Sequence, residues 1–343
     1  MRLLAAPDKL AGTLSATHAA EAIALGARAA GWEVTLAPLS DGGEGFGEVL
    51  GGVPVHTVVT GPLGEMVPCL WRRSDDGSRG VIEMADAAGR SLLPHPIGTQ
   101  TVDATTRGVG ELILQARDAG CTRVIVGCGG SATTDGGRGC VEAILDGGGL
   151  GGITELVVAT DVTTRFVDAA TMFAPQKGAS PAQVDVLTER LRDDARWLSS
   201  IDGISITTIE RGGAAGGLAG GLAALGGTLV SGFDLVASSL GLGDTLSACD
   251  LVVTGEGRID KSTLQGKTID SLLAVTPSSM PVLIIAGAVD AAAAAQLGAH
   301  RTGPLAVHSL VEEIGEDRAL HDTAAALSEV VLRALEGSLP HQR

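Results

Sequence analysis

The sequence contains short apolar runs that end in glycine-rich turns carrying carboxylates. The densest turn, TGEGRID at residues 254–260, follows the apolar run LVV at 251–253. Two other turns repeat the arrangement: SDGGEG at 40–45 after VTLA at 34–37, and GGSATTDGG at 129–137 after VIV at 124–126. Ligands of open α/β sheets bind at the carboxyl ends of the strands, where carboxylates can hold Mg²⁺ and backbone amides can hold phosphate. The three turns therefore indicate an enzyme that acts on a phosphorylated substrate.

Short β-branched runs alternate with longer helical patterns, which is typical of βα units and a mostly parallel sheet. The predicted strands are 3–6, 34–38, 55–59, 81–83, 124–127, 156–159, 251–254, 282–286 and 306–310. The predicted helices are 15–30, 104–119, 137–146, 181–198, 213–226, 262–275 and 318–336. Ser180 and Gln183 fit a capping box at the start of one of them. Gly212 and Gly213, at the start of another, are a candidate phosphate cradle.

The pattern changes after residue 53, where two β-rich runs flank GPLG at 61–64 and predict a hairpin. A length of 343 residues suggests two domains. The sequence thus predicts two unlike α/β domains. Residues 1–54 with 241–343 would form a Rossmann- or flavodoxin-like domain with a mostly parallel sheet. Residues 55–240 would form an inserted domain with a mixed sheet.

The charge and the cysteine content of the chain exclude several classes of binding partner. The formal net charge of −16 disfavours nucleic acid and anionic membranes, because both repel an acidic surface. The five cysteines form no CxxC pair, which argues against a zinc site and a disulfide framework. The apolar start of the chain is too short for a signal peptide, and the longest apolar stretch is short for a membrane span. The sequence predicts a cytoplasmic enzyme with a small-molecule substrate and leaves the oligomeric state open.

The turn at 40–45 supplies candidate ligands for a metal or a substrate. Asp41 and Glu44 can hold Mg²⁺ or substrate hydroxyls, while Gly42 and Gly43 let the backbone approach a ligand. The alternative is an acidic turn that only caps the following helix.

The turn at 129–137 supplies a candidate anion cradle. Gly130, Ser131 and Thr133 lie just before a helix, where free backbone amides bind anions. Asp135 is a candidate metal ligand, general base or helix N-cap, and the sequence leaves these three roles open.

The turn at 254–260 contains the densest group of polar side chains. Arg258 or Lys267 can bind a phosphate or the carboxylate of a substrate, and Glu256 and Asp260 accompany them. A surface group of ion pairs is the alternative interpretation. Asp8 and Lys9 end the first predicted strand, at the usual ligand edge of such a sheet.

In this order, the motifs resemble those of the type I glycerate kinases. The resemblance is carried by the three turns with APDK at 6–9, GTLSA at 12–16 and PQKGA at 175–179, and it extends over nearly the whole chain. It implies ATP and Mg²⁺ as cofactors and phosphorylation of a hydroxyl of glycerate, giving 2- or 3-phosphoglycerate, or of a close small hydroxy acid. It also implies an active site in the cleft between the two domains. Through the PQKGA motif it adds Lys177 to the binding residues.

The predicted roles on this basis fall into three groups. The catalytic residues are Asp41, Asp135, Asp260 and Lys267. The metal ligands are Asp41, Asp135 and Glu256. The substrate or nucleotide is bound by Asp8, Lys9, Gly42, Gly43, Glu44, Gly130, Ser131, Thr133, Lys177, Glu256 and Arg258.

One segment departs from the family pattern. Where the family has a stretch like DVxNPL, residues 161–168 read DVTTRFVD, and the segment up to residue 175 is shorter. Arg165 could bind an acceptor carboxylate, and Phe166 and Phe46 would add apolar bulk if they faced the acceptor. Such departures suggest an alternative: a diverged, non-catalytic ligand-binding or regulatory protein on the same fold. An unrelated α/β transferase is a further alternative.

Overall fold

A computed structural model describes residues 1–10, 12–94, 100–264, 266–299 and 301–338. The chain divides into two compact units. Unit 1 consists of Met1–Ser40 with Phe233–Arg343, and unit 2 is the continuous segment Asp41–Gly232. The sequence-based domain boundaries, at residues 54/55 and 240/241, stay a prediction.

Eleven strands lie within the described residues. They are β1 Arg2–Ala5, β2 Glu33–Leu36, β3 Val53–Thr60, β4 Met66–Arg73, β5 Arg79–Glu83, β6 Arg123–Gly127, β7 Glu155–Ala159, β8 Thr228–Val230, β9 Leu251–Ile259, β10 Val282–Val289 and β11 Leu305–Ser309.

The α-helices of the described residues are mostly short. They are α1 Ala16–Ala29, α2 Phe46–Leu50, α3 Ala85–Ala88, α4 Gln100–Asp103, α5 Arg107–Asp118, α6 Arg138–Asp146, α7 Ala169–Phe173, α8 Pro181–Asp202, α9 Leu218–Ala223, α10 Gly232–Ser239, α11 Leu242–Ala248, α12 Thr268–Val275, α13 Ala291–Ala294, α14 Leu310–Ile314, α15 Glu316–His321 and α16 Thr323–Ser338. Single 3₁₀ turns occur at Arg90–Leu92, Phe166–Asp168, Pro175–Lys177, Ile206–Thr208 and Ala214–Gly217.

Unit 1 is built on a parallel sheet with the strand order β11-β10-β9-β1-β2. The central strand β10 is almost entirely apolar, and β9 begins with the buried apolar run Leu251–Val253, as expected for strands covered on both faces. Helices α1 and α16 pack on one face, where Ile23, Val330 and Val331 are completely buried. This core fixes the sheet in which Asp8 follows the end of β1 and Glu256 lies within β9. The predicted turn at 254–260 is therefore wrong for residues 254–259, which continue β9 and pair with β10.

Unit 2 is built on a mixed sheet with the strand order β3-β4-β5-β6-β7-β8. The predicted hairpin is present as the antiparallel pair β3 and β4, whereas β5 to β8 run parallel. The core of this unit combines Trp71, Val124 and Leu222 with many small aliphatic side chains. The prediction of an α/β fold with one mostly parallel and one mixed sheet is confirmed.

Several predicted elements differ in detail. The capping box of α8 is present, with Ser180 and Gln183 as its two partners. The predicted helix 213–226 is wrong in its first part, because Ala215 and Gly216 have left-handed backbone angles and only α9 is a regular helix. The last predicted helix is two helices, α15 and α16. The elements that were not predicted are strand β8 and the helices α2, α3, α4, α7, α10, α11, α13 and α14.

No helix of the described residues is long and apolar enough to cross a membrane. A cytoplasmic location stays a prediction.

Candidate active site

The sheet of unit 1 brings Asp8 and Glu256 together at its carboxyl edge, meaning the edge where the parallel strands end. The backbone N–H of Asp8 donates a hydrogen bond to the carbonyl of Gly255 (2.9 Å). The Oδ2 atom of Asp8 accepts from Oγ1 of Thr268 (2.6 Å), the first residue of α12. Both carboxylates are nearly buried. The fold therefore places two like charges side by side at the ligand edge.

Glu256 has an unusual ionisation equilibrium. Burial, reinforced by the negative charges of Asp8 and Asp260, raises the pKa of Glu256 from 4.5 to about 7. A hydrogen bond from Oγ1 of Thr263 (2.6 Å) and the charge of Lys267 act in the opposite direction. Because like charges and burial both disfavour the carboxylate form, a bound cation at this position would stabilise it.

The loop after β9 ties Asp260 and Lys267 to a single serine. Oδ1 of Asp260 accepts hydrogen bonds from the backbone N–H (2.8 Å) and the Oγ (2.5 Å) of Ser262, and these bonds lower the pKa of Asp260. Nζ of Lys267 donates to the same Oγ (2.7 Å) and is exposed. Arg258 is exposed on β9, and Lys9 is half-buried after β1. Lys267 and Arg258 are thus available to an anion in solution.

In unit 2, the turn that carries Asp41 lies against the turn at the end of β6. The backbone N–H of Gly129 donates to the carbonyl of Gly42 (3.0 Å). A Cβ atom on Gly129 would lie 2.3 Å from Cα of Gly43, so only glycine permits this approach. Oδ1 of Asp41 accepts from the backbone N–H of Gly43 (3.1 Å). The structure therefore unites two of the three turns at one sheet edge.

The acidic turn is held in place by a residue that the sequence analysis missed. Glu83, the last residue of β5, accepts hydrogen bonds from the backbone N–H groups of Gly45 (2.9 Å) and Gly47 (2.8 Å). Burial, with the charges of Glu83 and Glu44, raises the pKa of Asp86 to about 6. Glu83 is the last residue of the predicted strand 81–83, and a carboxylate at a strand end was the signal that could have identified it. Glu44 itself is exposed.

The carboxylate of Asp135 connects the starts of α5 and α6 through hydrogen bonds. Oδ2 accepts from the backbone N–H and the Oγ1 of Thr106 (both 2.8 Å), next to the start of α5, and from the backbone N–H of Gly139 (3.3 Å) in α6. Oδ1 accepts from the backbone N–H of Gly137 (3.2 Å). Burial raises the pKa of Asp135, and these hydrogen bonds oppose the rise. Asp135 thus accepts hydrogen bonds at the starts of both helices, although Gly137, not Asp135, is the N-cap residue of α6. Its roles as a metal ligand and as a general base stay predictions.

Lys177 is buried beneath the turn at 129–137. The residue is only 3% exposed, and its Nζ atom donates a hydrogen bond to the carbonyl of Thr133 (2.5 Å). Burial lowers the pKa of Lys177 from 10.5 to about 7; the charge of Arg90 adds to this effect, and that of Asp135 opposes it. Lys177 thus contacts the turn itself, while Ser131 is 8% exposed and Gly130 lies at the surface.

Comparisons with known proteins identify the family of this chain. The sequence profile of the glycerate kinase family matches residues 3–146 and 152–336. The chain belongs to the glycerate kinase family. This membership confirms the resemblance on which the sequence-based prediction of a kinase, a transferase enzyme, depended.

Individual glycerate kinases are similar along most of their length. The glycerate 2-kinase of Escherichia coli (strain K12) is 36% identical over 354 residues, which covers 92% of each chain. The glycerate kinase of Bacillus subtilis (strain 168) is 38% identical over 331 residues, covering 84% of this chain and 85% of its own. A crystal structure assigned as glycerate kinase 2 of Salmonella typhimurium LT2 superimposes with a TM-score of 0.80 at 32% identity and covers 98% of both chains.

The residues that depart from the glycerate kinase pattern lie partly in the core. Phe166 and Phe46 are completely buried, Phe166 within an apolar cluster of unit 2. The expectation that they add apolar bulk beside an acceptor is therefore wrong. Arg165 is exposed. Gly212 and Gly213 donate their backbone N–H groups to Ile209 and Thr164, so these amides are not a phosphate cradle.

The predicted metal ligands fit a cation unequally. Within the residues that the structure describes, no group of three or more His, Cys, Asp or Glu side chains is placed to hold a metal. Both oxygens of Asp135 already accept hydrogen bonds, which leaves it poorly suited as a ligand. Glu256, with Asp8 beside it, has the charge that favours a cation. Mg²⁺ in kinases is commonly held by one or two carboxylates together with substrate phosphates and water, so this pair fits Mg²⁺ that arrives with a nucleotide.

Proposed function

We propose that this protein transfers the γ-phosphoryl group of ATP to a hydroxyl of glycerate, giving 2- or 3-phosphoglycerate. The observation that carries the proposal is the similarity, over more than four fifths of both chains, to proteins named glycerate 2-kinase and glycerate kinase. The polar strand-end turns of both units support it, because phosphoryl transfer depends mainly on positioned charges and donors.

The acceptor hydroxyl would react as its proton moves to a carboxylate. In the proposed step, the acceptor oxygen bonds to the γ-phosphorus while the bond from that phosphorus to the bridging oxygen of ADP breaks. Asp41 is our candidate for the proton acceptor, because it is half-buried and lies in the turn that contacts Gly129. Gly130 and Ser131 would orient the acceptor, and the buried Thr133 would hold their turn together with Asp135 and Lys177.

The nucleotide would be bound by the cluster of unit 1. Lys267 and Arg258 supply exposed positive charge, and Asp260 orients Lys267 through Ser262. Asp8 and Glu256 would hold Mg²⁺. When bound, Mg²⁺ neutralises phosphate charge and orients the phosphates of ATP.

The direct test is ADP release from ATP with D-glycerate and a panel of small 2- and 3-hydroxy acids, with and without added Mg²⁺. We expect turnover with D-glycerate that depends on the metal, and ³¹P NMR of the product identifies the phosphorylated hydroxyl. Full activity in excess chelator would contradict the proposed metal. Stabilisation by ATP without turnover of any acceptor would contradict the kinase and support a nucleotide-binding protein.

A further inference from the structure

Arg90 lies beside the predicted anion cradle, although no sequence motif singled it out. Its backbone N–H donates to the carbonyl of Gly130 (3.0 Å), and the preceding Gly89 pairs with Ser131 in an antiparallel bridge. The backbone N–H of Ala132 donates to the carbonyl of Ala88 (2.8 Å). Three consecutive residues, 88–90, are therefore bonded along 130–132. Arg90 is attached to the turn by its own backbone rather than by a flexible loop.

The guanidinium of Arg90 is exposed and forms no ion pair or hydrogen bond with any residue that the structure describes. Its positive charge acts on the buried Lys177, where it adds to the effect of burial and lowers the pKa of the lysine. The carboxylate close to Lys177 is Asp135, and its oxygens are occupied by Thr106, Gly137 and Gly139.

Two basic side chains, those of Arg90 and Lys177, thus lie at the turn 129–137 of a protein whose formal net charge is −16. An acidic chain that binds an anionic substrate has to concentrate its positive charge locally. The side chain of Lys177 is buried and donates to the carbonyl of Thr133, whereas Arg90 is exposed to solvent. An anion bound at Gly130 and Ser131 would relieve the repulsion between the two cations and pair with the guanidinium.

We propose that Arg90 is a specificity residue that binds the carboxylate of the acceptor at the Gly130–Ser131 turn. The proposal rests on the function proposed above. A guanidinium presents two parallel N–H donors that match a carboxylate, so it selects for a hydroxy acid against a neutral polyol or an amide. An acceptor without a carboxylate would leave the guanidinium of Arg90 without a counter-ion.

The test compares Arg90→Gln and Arg90→Lys with the wild type in steady-state kinetics, using D-glycerate and its uncharged amide as acceptors. For Arg90→Gln we expect the KM for D-glycerate to rise roughly 10- to 100-fold, the range for a hydrogen bond to a charged group, while the KM for ATP stays unchanged. The preference for the acid over the amide should fall by the same factor. Arg90→Lys should restore part of it. Arg28→Gln, at an exposed arginine on α1, is the matched control and should change neither KM.

Two kinetic results overturn the proposal: an unchanged KM for D-glycerate in Arg90→Gln, or a rise confined to the KM for ATP. Calorimetric titration with D-glycerate separates this proposal from the proposed function. If the wild type binds D-glycerate and Arg90→Gln weakens the binding, but neither turns over, Arg90 keeps its assignment and the kinase activity fails. If the wild type neither binds nor phosphorylates D-glycerate, both fail.

Discussion

At the scale of single residues, the buried Glu256 makes stability depend on pH. An unfolded glutamate loses its proton near pH 4.5, whereas Glu256 in the folded protein loses it near pH 7. Between these values the folded state binds more protons, so the free energy of unfolding falls as the pH rises, by about 3 kcal/mol at most. Above pH 7 both states are ionised and the loss is complete.

Glu256→Gln removes this loss and keeps an oxygen that can accept from Thr263. We therefore expect the variant to have a higher Tm than the wild type, with a difference that grows from about pH 5.5 to about pH 8. Thermal denaturation at both pH values measures it. Glu21→Gln, at an exposed glutamate, is the control and should shift Tm equally at both. A difference for Glu256→Gln that does not change with pH would contradict the assigned ionisation.

Two further substitutions test the proposed chemistry. Asp41→Asn keeps an oxygen to accept from Gly43 but cannot take a proton, and Lys267→Ala removes an exposed charge. Each should lower kcat/KM by ~100-fold or more, about 2.7 kcal/mol of transition-state stabilisation, with Tm nearly unchanged. A variant that keeps wild-type activity would show that its residue lies outside the machinery.

The sequence predicted the turns after β2 and β6, because strand and turn signals are local, but it placed Glu256 and Arg258 in a turn although both lie within β9. It could not predict which side chains are buried there. Lys177 belongs to a recognisable motif, yet its contact with Thr133 bridges 44 residues and depends on tertiary packing. Arg90 escaped notice because its position beside Ser131 comes from a bridge between distant segments.

At the scale of elements, the broken helix at 213–226 supports the turn that contains Asp135. The backbone N–H of Gly136 donates to the carbonyl of Gly216 (3.0 Å), and a Cβ atom on Gly216 would lie 2.0 Å from the carbonyl oxygen of Thr133. Ala-rich composition predicts a helix here, since alanine favours helices. Packing against the turn overrides that preference and imposes left-handed backbone angles on residues 215–217.

Gly216→Ala should therefore destabilise the protein by more than its backbone strain alone. Gly148→Ala is the matched control, because Gly148 also has a positive φ but has open space around its Cβ position. We expect a loss of about 1 kcal/mol for Gly148→Ala and of several kcal/mol for Gly216→Ala, with reduced activity as the turn shifts. Chemical denaturation measures both, and equal losses would show that the turn adapts without cost.

At the scale of the whole molecule, unit 2 is continuous in sequence and has its own core. Its two ends are adjacent, since a Cβ atom on Gly232 would lie 2.3 Å from the carbonyl oxygen of Asp41. We expect the segment Asp41–Gly232 to fold when produced alone, which a cooperative thermal transition would reveal. The segment 55–240 is the comparison, because it lacks α2.

We expect the segment 55–240 to be less stable than the segment Asp41–Gly232, because it begins after α2. Removing α2 deletes the fully buried Phe46 and the hydrogen bonds from Gly45 and Gly47 to Glu83. Loss of a buried Phe side chain typically costs about 3–5 kcal/mol. A transition at equal or higher temperature for 55–240 would place the boundary where the sequence analysis predicted it. Length and alternation could predict two units, but not which one contains α2, since that follows from packing.

The position of β1 between β2 and β9 has a consequence for biosynthesis. Strand β9 begins at Leu251, more than two hundred residues after β1, so a ribosome releases the whole of unit 2 before the inner strand of unit 1 gains its second neighbour. At about 5–20 residues per second, that delay lasts on the order of ten seconds or more. During it, the nascent β1 and α1 expose an apolar surface that α16 later covers. We therefore expect the amino-terminal segment to be prone to aggregation during synthesis until β9 and α16 emerge.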